Sequence, residues 1–276
     1  MVKEVAVVTG AGSGIGHAIS LLLARHYTVI NIDINGDNLL KVEKEIISTG
    51  GSVHSLVGDV SKRDTHIEAR KLASTNGTLK AWVNCAGWTR SAALHNFPND
   101  PRVFEELMGT NQNGTFWGCA EAVHYFVDQK VKGAIVNISS VHGRRAWRDH
   151  AVYEMTKGAV DALTRNVAVT YGPYGIRCNS VAPGAVMTPA MVQSFANAPD
   201  PKARRESLEF LTPLKRIADP SEIAEVVAFL LSDKSSYVSG QSLAVEGAWT
   251  SALGAGDLDR ELAEKYGLNP ENGLPL

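Results

Sequence analysis

The sequence predicts a doubly wound α/β fold, a seven-stranded parallel sheet with helices on both faces. Seven short runs rich in Val and Ile recur along the 276 residues, and longer stretches with apolar residues at helical spacing separate them. Strands alternating with helices form βαβ units, and a parallel sheet buried on both faces reads as continuous apolar runs. A glycine-rich turn between the first run and the first helix is the third observation.

The first strand is expected over residues 5–8, and Thr9-Gly10-Ala11-Gly12-Ser13-Gly14-Ile15-Gly16 then opens a helix through Ile19, Leu22 and Leu23. The second, 27–32, ends at Asp33, and the third, 53–57, is followed by Gly58-Asp59-Val60. The fourth, 79–84, runs into Asn84-Cys85-Ala86-Gly87, and the fifth, 134–138, into Ser139-Ser140. The sixth, 176–181, leads to Ala182-Pro183-Gly184, and the seventh is short, 243–245. The clearest helix start is Asp219-Pro220-Ser221-Glu222, where an N-cap Asp, a proline at the first helical position and a Glu three residues on form a capping box. No repeat or linker interrupts residues 1–250, which read as one domain. Residues 190–213 read either as a mobile lid over a site or as an ordinary surface helix pair. The tail, 251–276, carries one amphipathic turn pair (Leu258, Leu262, Tyr266) and is expected to pack on a neighbouring subunit or to fray.

Composition excludes several classes of function. Hydrophobic residues make up 44% of the chain, and folding at this length buries roughly 75% of the unfolded surface, so no disulfide or metal staple is needed. The 27 Lys and Arg against 29 Asp and Glu leave no positive field for nucleic acid or anionic membrane. Cys85, Cys119 and Cys178 form no CxxC pair and suit buried thiols in a reducing compartment, so no metal site is expected. No basic leader precedes the first strand and no apolar run approaches about 18 residues. A soluble, cytoplasmic protein is expected.

Glycines in the first turn permit positive φ and bring the backbone close to a diphosphate. Unpaired N–H groups and the helix dipole would meet its charge. The spacing Gly10, Gly14, Gly16 differs from the GxGxxG of larger dehydrogenases. In an open sheet of this Rossmann type, the carboxyl ends of the strands converge on a crevice. Asp33 there would bond the adenosine ribose hydroxyls, and Asp59 and Val60 would hold the adenine edge. A carboxylate at 33 repels a 2′-phosphate, and Ser13 and Ile34 supply no cation for one, so NAD is expected over NADP.

Val136-Asn137-Ile138-Ser139-Ser140, Tyr153-Glu154-Met155-Thr156-Lys157 and Asn179-Ser180-Val181-Ala182-Pro183-Gly184 complete the pattern. With the glycine turn, Asn84-Cys85-Ala86-Gly87 and Asn111, the set resembles the short-chain dehydrogenase/reductase family in its NAD-preferring members. The resemblance spans residues 5–248. It implies that Tyr153 is the general base, that Lys157 supports the phenolate and reaches the nicotinamide ribose, that Ser140 bonds the substrate oxygen, and that Asn111 fixes a proton-relaying water. It places Asn84, Ala86 and Gly87 along the cofactor, and Pro183, Gly184, Val186 and Thr188 against the nicotinamide. Cys85 departs from a more frequent Asn, and Glu246 from a more frequent Asp. The residues agree with these roles: Tyr153 and Lys157, four apart on a helix, rise from adjacent turns of one surface. An ammonium beside a phenol of ordinary pKa about 10, with the nicotinamide's own charge added, is expected to lower it toward the working pH.

The partner is thus expected to be a small alcohol or ketone. No serine sits in a GxSxG elbow, and HExxH and P-loop motifs are absent. A non-catalytic NAD sensor on the same fold is the rival from another class, and the presence of both Tyr153 and Lys157 weighs against it. Three arginines follow Ser140 in Val141-His142-Gly143-Arg144-Arg145-Ala146-Trp147-Arg148, and Trp88-Thr89-Arg90 follows the fourth strand. A guanidinium fork suits an anionic group, so Arg90, His142, Arg144 and Arg148, with Trp88, are candidate contacts for a polar or anionic hydroxy compound such as a sugar acid. The arginines could equally be solvated or paired with Asp149, and an apolar cyclic alcohol or steroid against Trp88 and Trp147 is the alternative substrate. By resemblance a homotetramer or homodimer is expected, built on the helices carrying Asn111 and Tyr153, where Phe116, Trp117 and Phe126 supply apolar area.

Overall fold

The computed structural model describes residues 3–97, 99–252, 260–269 and 271. Seven parallel strands form one sheet: β1 (Glu4–Thr9), β2 (Thr28–Asp33), β3 (Ser52–Val57), β4 (Thr78–Asn84), β5 (Ala134–Ile138), β6 (Arg177–Pro183) and β7 (Ser242–Val245). Their order is β3-β2-β1-β4-β5-β6-β7, so the connection reverses direction between β1 and β4. Every expected strand is present, most of them a residue or two longer. β6 runs on to Pro183, which cannot donate to the ladder; the Gly184 N–H continues the contact with Val245 O at 3.1 Å.

Helices α1 (Gly14–Leu23), α2 (Gly36–Ser48), α3 (Arg63–Asn76), α4 (Arg102–Leu107), α5 (Gly114–Asp128), α6 (Ala151–Tyr171), α7 (Pro189–Ala196), α8 (Pro201–Leu211), α9 (Pro220–Leu231) and α10 (Arg260–Lys265) complete the chain. Alternation along the strands divides the core in two. Ala6, Val8, Val29, Val83, Val136 and Val181 pack beneath α1, α2 and α9, with Ile19, Leu39 and Ile223 among the buried partners. Val5, Val7, Ile30, Ile32, Trp82 and Ile135 face α3, α5 and α6 through Ala69, Cys119, Phe126 and Val167. These cores fix the strand ends against which the site is built.

The capping box at Asp219 forms as expected: its carboxylate accepts the Ser221 N–H at 2.8 Å, and Glu222 reaches back to the Asp219 N–H at 2.9 Å. Residues 190–213 fold as most of α7 and the whole of α8, each helix opened by a proline and capped by Thr188 or Asp200. They enclose a small apolar cluster of their own, Phe195 and Leu208 with Ala185 and Ile217. In the tail, Ala263 of α10 is buried while Tyr266 is exposed, and Leu258 lies outside the described residues. The three cysteines are unpaired. Among the described residues no helix is long and apolar enough to cross a membrane, and no three His, Cys, Asp or Glu side chains form a metal cluster.

Candidate active site

A cleft of about 690 Å³ opens at the carboxyl ends of the strands, across the reversal between β1 and β4. Its floor begins with the glycine turn. Gly10 and Gly14 hold φ of +67° and +55°, which other residues rarely adopt. A Cβ on Gly10 would stand 2.7 Å from Ala86 Cα, so the turn meets the end of β4 only because that position has no side chain. No side chain caps α1 at Ser13, and the first N–H groups of the helix are left for a ligand.

Asp33 stands at the end of β2, its Oδ2 accepting the Gly12 N–H and its Oδ1 the Asn35 N–H, both at 2.9 Å. Two carboxylates, Asp33 and Asp59, line this end of the cleft with Ile34, Gly58 and Val60. The sole lysine or arginine on the described lining is Lys157, at the opposite end. Uncapped helix donors, a close backbone turn and two carboxylates suit a dinucleotide.

At the far end α6 delivers Tyr153 and Lys157 beside Ser140 from β5, with Pro183, Gly184, Val186 and Thr188 closing the wall. Lys157 is buried and its Nζ donates to Ile138 O at 2.8 Å, 5.6 Å from the centre of the Tyr153 ring. Burial pushes the lysine down to about 8, with Cys85 and Asp161 partly opposing. Ser140 Oγ accepts the His142 N–H at 3.2 Å, leaving its own proton to donate. The protein's own groups do not acidify Tyr153. Burial raises the phenol above its ordinary value and the Ser140 hydroxyl only partly offsets this. Desolvation of the phenolate is the larger of the two effects.

The remaining assignments divide. Every expected cofactor residue lines the cleft except Asn84. Its side chain turns into the core, accepting from Trp82 Nε1 at 2.9 Å and donating to Asn137 Oδ1 at 2.8 Å. Asn111 is fully buried in a π-helical turn, Met108–Asn113, between α4 and α5. Its amide bonds both peptide groups of Trp88, Oδ1 accepting N–H at 3.0 Å and Nδ2 donating to C=O at 2.9 Å. It thus holds the segment after β4 in place, a π-turn being a common device at functional sites. Trp88 lines the cleft, whereas Arg90, His142, Arg144 and Arg148 do not. His142 sits edge-on to Tyr153 at 5.5 Å. Arg144 turns away, donating to Ser242 O at 3.1 Å and lying 3.8 Å from Asp161. Trp147 packs on Trp249 at 5.9 Å.

Two contributors escape sequence reasoning, and three more come from the segment read as a lid or surface helix pair. Thr9 Oγ1 accepts the N–H groups of both Cys85 and Ala86 at 3.0 Å, stitching β1 to β4 where the topology reverses. His66 is buried, and its Nε2 donates to Val60 O at 2.8 Å, holding the Asp59-Val60 segment. Ala190, Met191 and Ser194 of α7 line the mouth. The hydroxyl at a strand end is the visible signal for Thr9; His66 carries no local signature.

A family model described as enoyl-(acyl carrier protein) reductase matches residues 10–250. The chain belongs to the short-chain dehydrogenase/reductase family. It is 34% identical to 3β-hydroxysteroid dehydrogenase 1 of Eggerthella lenta over 256 residues, covering 88% of this chain and 92% of that one. Levodione reductase of Leifsonia aquatica is 33% identical over 259 residues, covering 90% and 95%. The crystal structure of a putative gluconate dehydrogenase from Agrobacterium tumefaciens superposes with a TM-score of 0.83 at 27% identity, covering 91% of this chain and 97% of that one. As a short-chain dehydrogenase/reductase the protein is an oxidoreductase of the alcohol/ketone dehydrogenase type.

Proposed function

We propose that the protein is an NAD-dependent dehydrogenase that interconverts a secondary alcohol and its ketone. The observation that carries this reading is the cleft itself, with Ser140, Tyr153 and Lys157 at one end and two carboxylates without a countering cation at the other. Bound nicotinamide would supply the hydride acceptor or donor. Ser140 donates to the substrate oxygen, and Tyr153 takes the alcohol proton at its phenolic oxygen. The Lys157 ammonium, joined by the positive charge of oxidised nicotinamide, offsets the burial that holds the phenol up. Asn111 acts by fixing the Trp88 peptide.

For the substrate, a neutral cyclic alcohol or ketone is favoured over an anionic hydroxy acid. None of Arg90, Arg144 and Arg148 lines the cleft, while Trp88, Ala190 and Met191 do. The similarity to a hydroxysteroid dehydrogenase and to levodione reductase supports this choice. The likeness to a gluconate dehydrogenase supports a sugar acid as the second reading. Residues 190–213 serve as the lid, since α7 supplies the mouth. Unpaired thiols fit a cytoplasmic setting, and the outer faces of α5 and α6, where Phe116 and Met155 are about half exposed, fit a homodimer or homotetramer. Phe126 is buried in the core and takes no part in such a face.

Purified protein with NAD or NADP and a 3β-hydroxysteroid, cyclohexanol or gluconate, followed by nicotinamide absorbance, tests the assignment. Turnover is expected with NAD and a cyclic alcohol. Failure with every alcohol and both cofactors would overturn the dehydrogenase reading, and preference for gluconate would restore the acid.

A further inference from the structure

Asp161 lies one helical turn beyond Lys157 on α6 and is buried, and its carboxylate is poorly compensated. Oδ1 accepts a hydrogen bond from Ser180 of β6 at 2.8 Å. Oδ2 is buried without a hydrogen-bond partner, and the cation facing it is the Arg144 guanidinium at 3.8 Å, whose side chain is 54% exposed. The turn that follows Ser140 is shaped to admit this oxygen, because a Cβ on Gly143 would stand 2.9 Å from Oδ2 and 3.2 Å from Lys157 O. An ionised group withdrawn from water at this depth needs a compensating charge, and one partly solvated guanidinium is a weak one.

The other buried charge nearby is the Lys157 ammonium, one helical turn back on α6, on which Asp161 acts through space rather than by an ion-pair contact. The groups facing Lys157 are Tyr153 and Asp161 on its own helix and Cys85 at the end of β4; the turn after Ser140 brings Arg144, facing Asp161, and His142, facing Tyr153. Burial pushes the Cys85 thiol up to about 12. It is therefore neutral where Lys157, at about 8, exchanges its proton, and only Asp161 opposes the burial of the lysine with an actual negative charge.

Resting on the dehydrogenase reading above, we propose that Asp161 is a positioning residue for Lys157, its buried charge sustaining the ammonium, and that Arg144 modulates it from the solvent side rather than binding substrate. The two substitutions Asp161→Asn and Arg144→Met remove charges of opposite sign from one pair. They therefore displace the same limb of a pH profile in opposite directions.

The test is the pH dependence of kcat/KM for oxidation of cyclohexanol with NAD in the full-length protein. With Asp161→Asn the alkaline limb, where Lys157 loses its proton, is expected to move down by about one pH unit. With Arg144→Met it is expected to move up by a smaller amount. Ser180→Ala, which removes a hydrogen bond but no charge, leaves the limb in place even if the protein is less stable. Titration of Lys157 by NMR on 13C-lysine-labelled protein reads the same shifts without any turnover, so a wild-type protein inactive on alcohols would defeat the dehydrogenase reading alone. An unmoved limb and lysine titration in either variant, or shifts of the same sign in both, would overturn the role of Asp161.

Discussion

The floor and the mouth of the cleft are built in different ways. The floor is made of strand ends and the buried face of α6, and backbone geometry places its groups. Gly10 abuts Ala86, Asp33 closes on the Gly12 peptide, and Lys157 is pinned to the Ile138 carbonyl. The mouth is made of the segment after β4, the turn after β5 and α7, where side-chain direction decides what faces a substrate. Arg144 follows Ser140 by only four residues, yet it points toward β7. Chemistry held by the sheet is thus fixed by position in the chain, whereas selectivity at the mouth is not.

The largest effect that would break this contrast lies on the floor. Tyr153→Phe is expected to lower kcat by about 10²- to 10⁴-fold, the usual worth of a general base, while NADH binding stays nearly unchanged. Steady-state rates with fluorescence titration check it, and a variant of wild-type activity would remove the phenol from the chemistry. Next comes Asp33→Ser, which deletes a charged hydrogen-bond acceptor and the repulsion of a 2′-phosphate. A fall of about tenfold in kcat/KM for NAD, with a gain for NADP, is expected.

Sequence legibility follows the same division. All seven strands, the capping box at Asp219 and the glycine turn with Asp33, Asp59 and Val60 follow from local patterns, because apolar runs and turn chemistry are local, whereas the cofactor lining after β4 and β6 is legible only through the family resemblance. Asn84 reads as a cofactor residue but its alternation puts the side chain into the core with Trp82 and Asn137. Asn111 occupies a π-turn that no helical periodicity reveals, and His66 supports Val60 from an adjacent helix. Such tertiary placements, like the direction of Arg144, depend on neighbours distant in sequence. The phenol of Tyr153 shows the same limit, since its burial is a property of the folded cleft.

At the mouth the effects are smaller and fall on KM. Met191→Ala and Trp88→Ala are each expected to raise KM for a cyclic alcohol by about tenfold with little change in kcat, the signature of lost uniform binding. A matching loss for gluconate would argue for contacts that do not discriminate. Smaller still is a pH effect on stability. Burial lowers the pKa of His66 beneath the floor, and burial followed by His150 lowers that of His142 at the mouth. A depressed folded pKa means that the unfolded chain binds more protons below about 6.5, so stability is complete above that value and declines as pH falls through the folded pKa. The Tm is expected to drop between about pH 7 and pH 5, and to drop less in His66→Gln. Asp219→Ala, remote from both regions, is expected to cost about 1 kcal/mol in denaturant unfolding without changing kcat.

Equilibrium titration of the purified protein with NADH and with NADPH, read by nicotinamide fluorescence, tests the cofactor claim without requiring the substrate to be known. Saturable NADH binding at least about tenfold tighter than NADPH is expected if the ribose lies at Asp33 and Asp59, where the described lining carries no lysine or arginine. Equal affinities would contradict the assignment of NAD, and binding of neither would contradict the reading of the cleft itself.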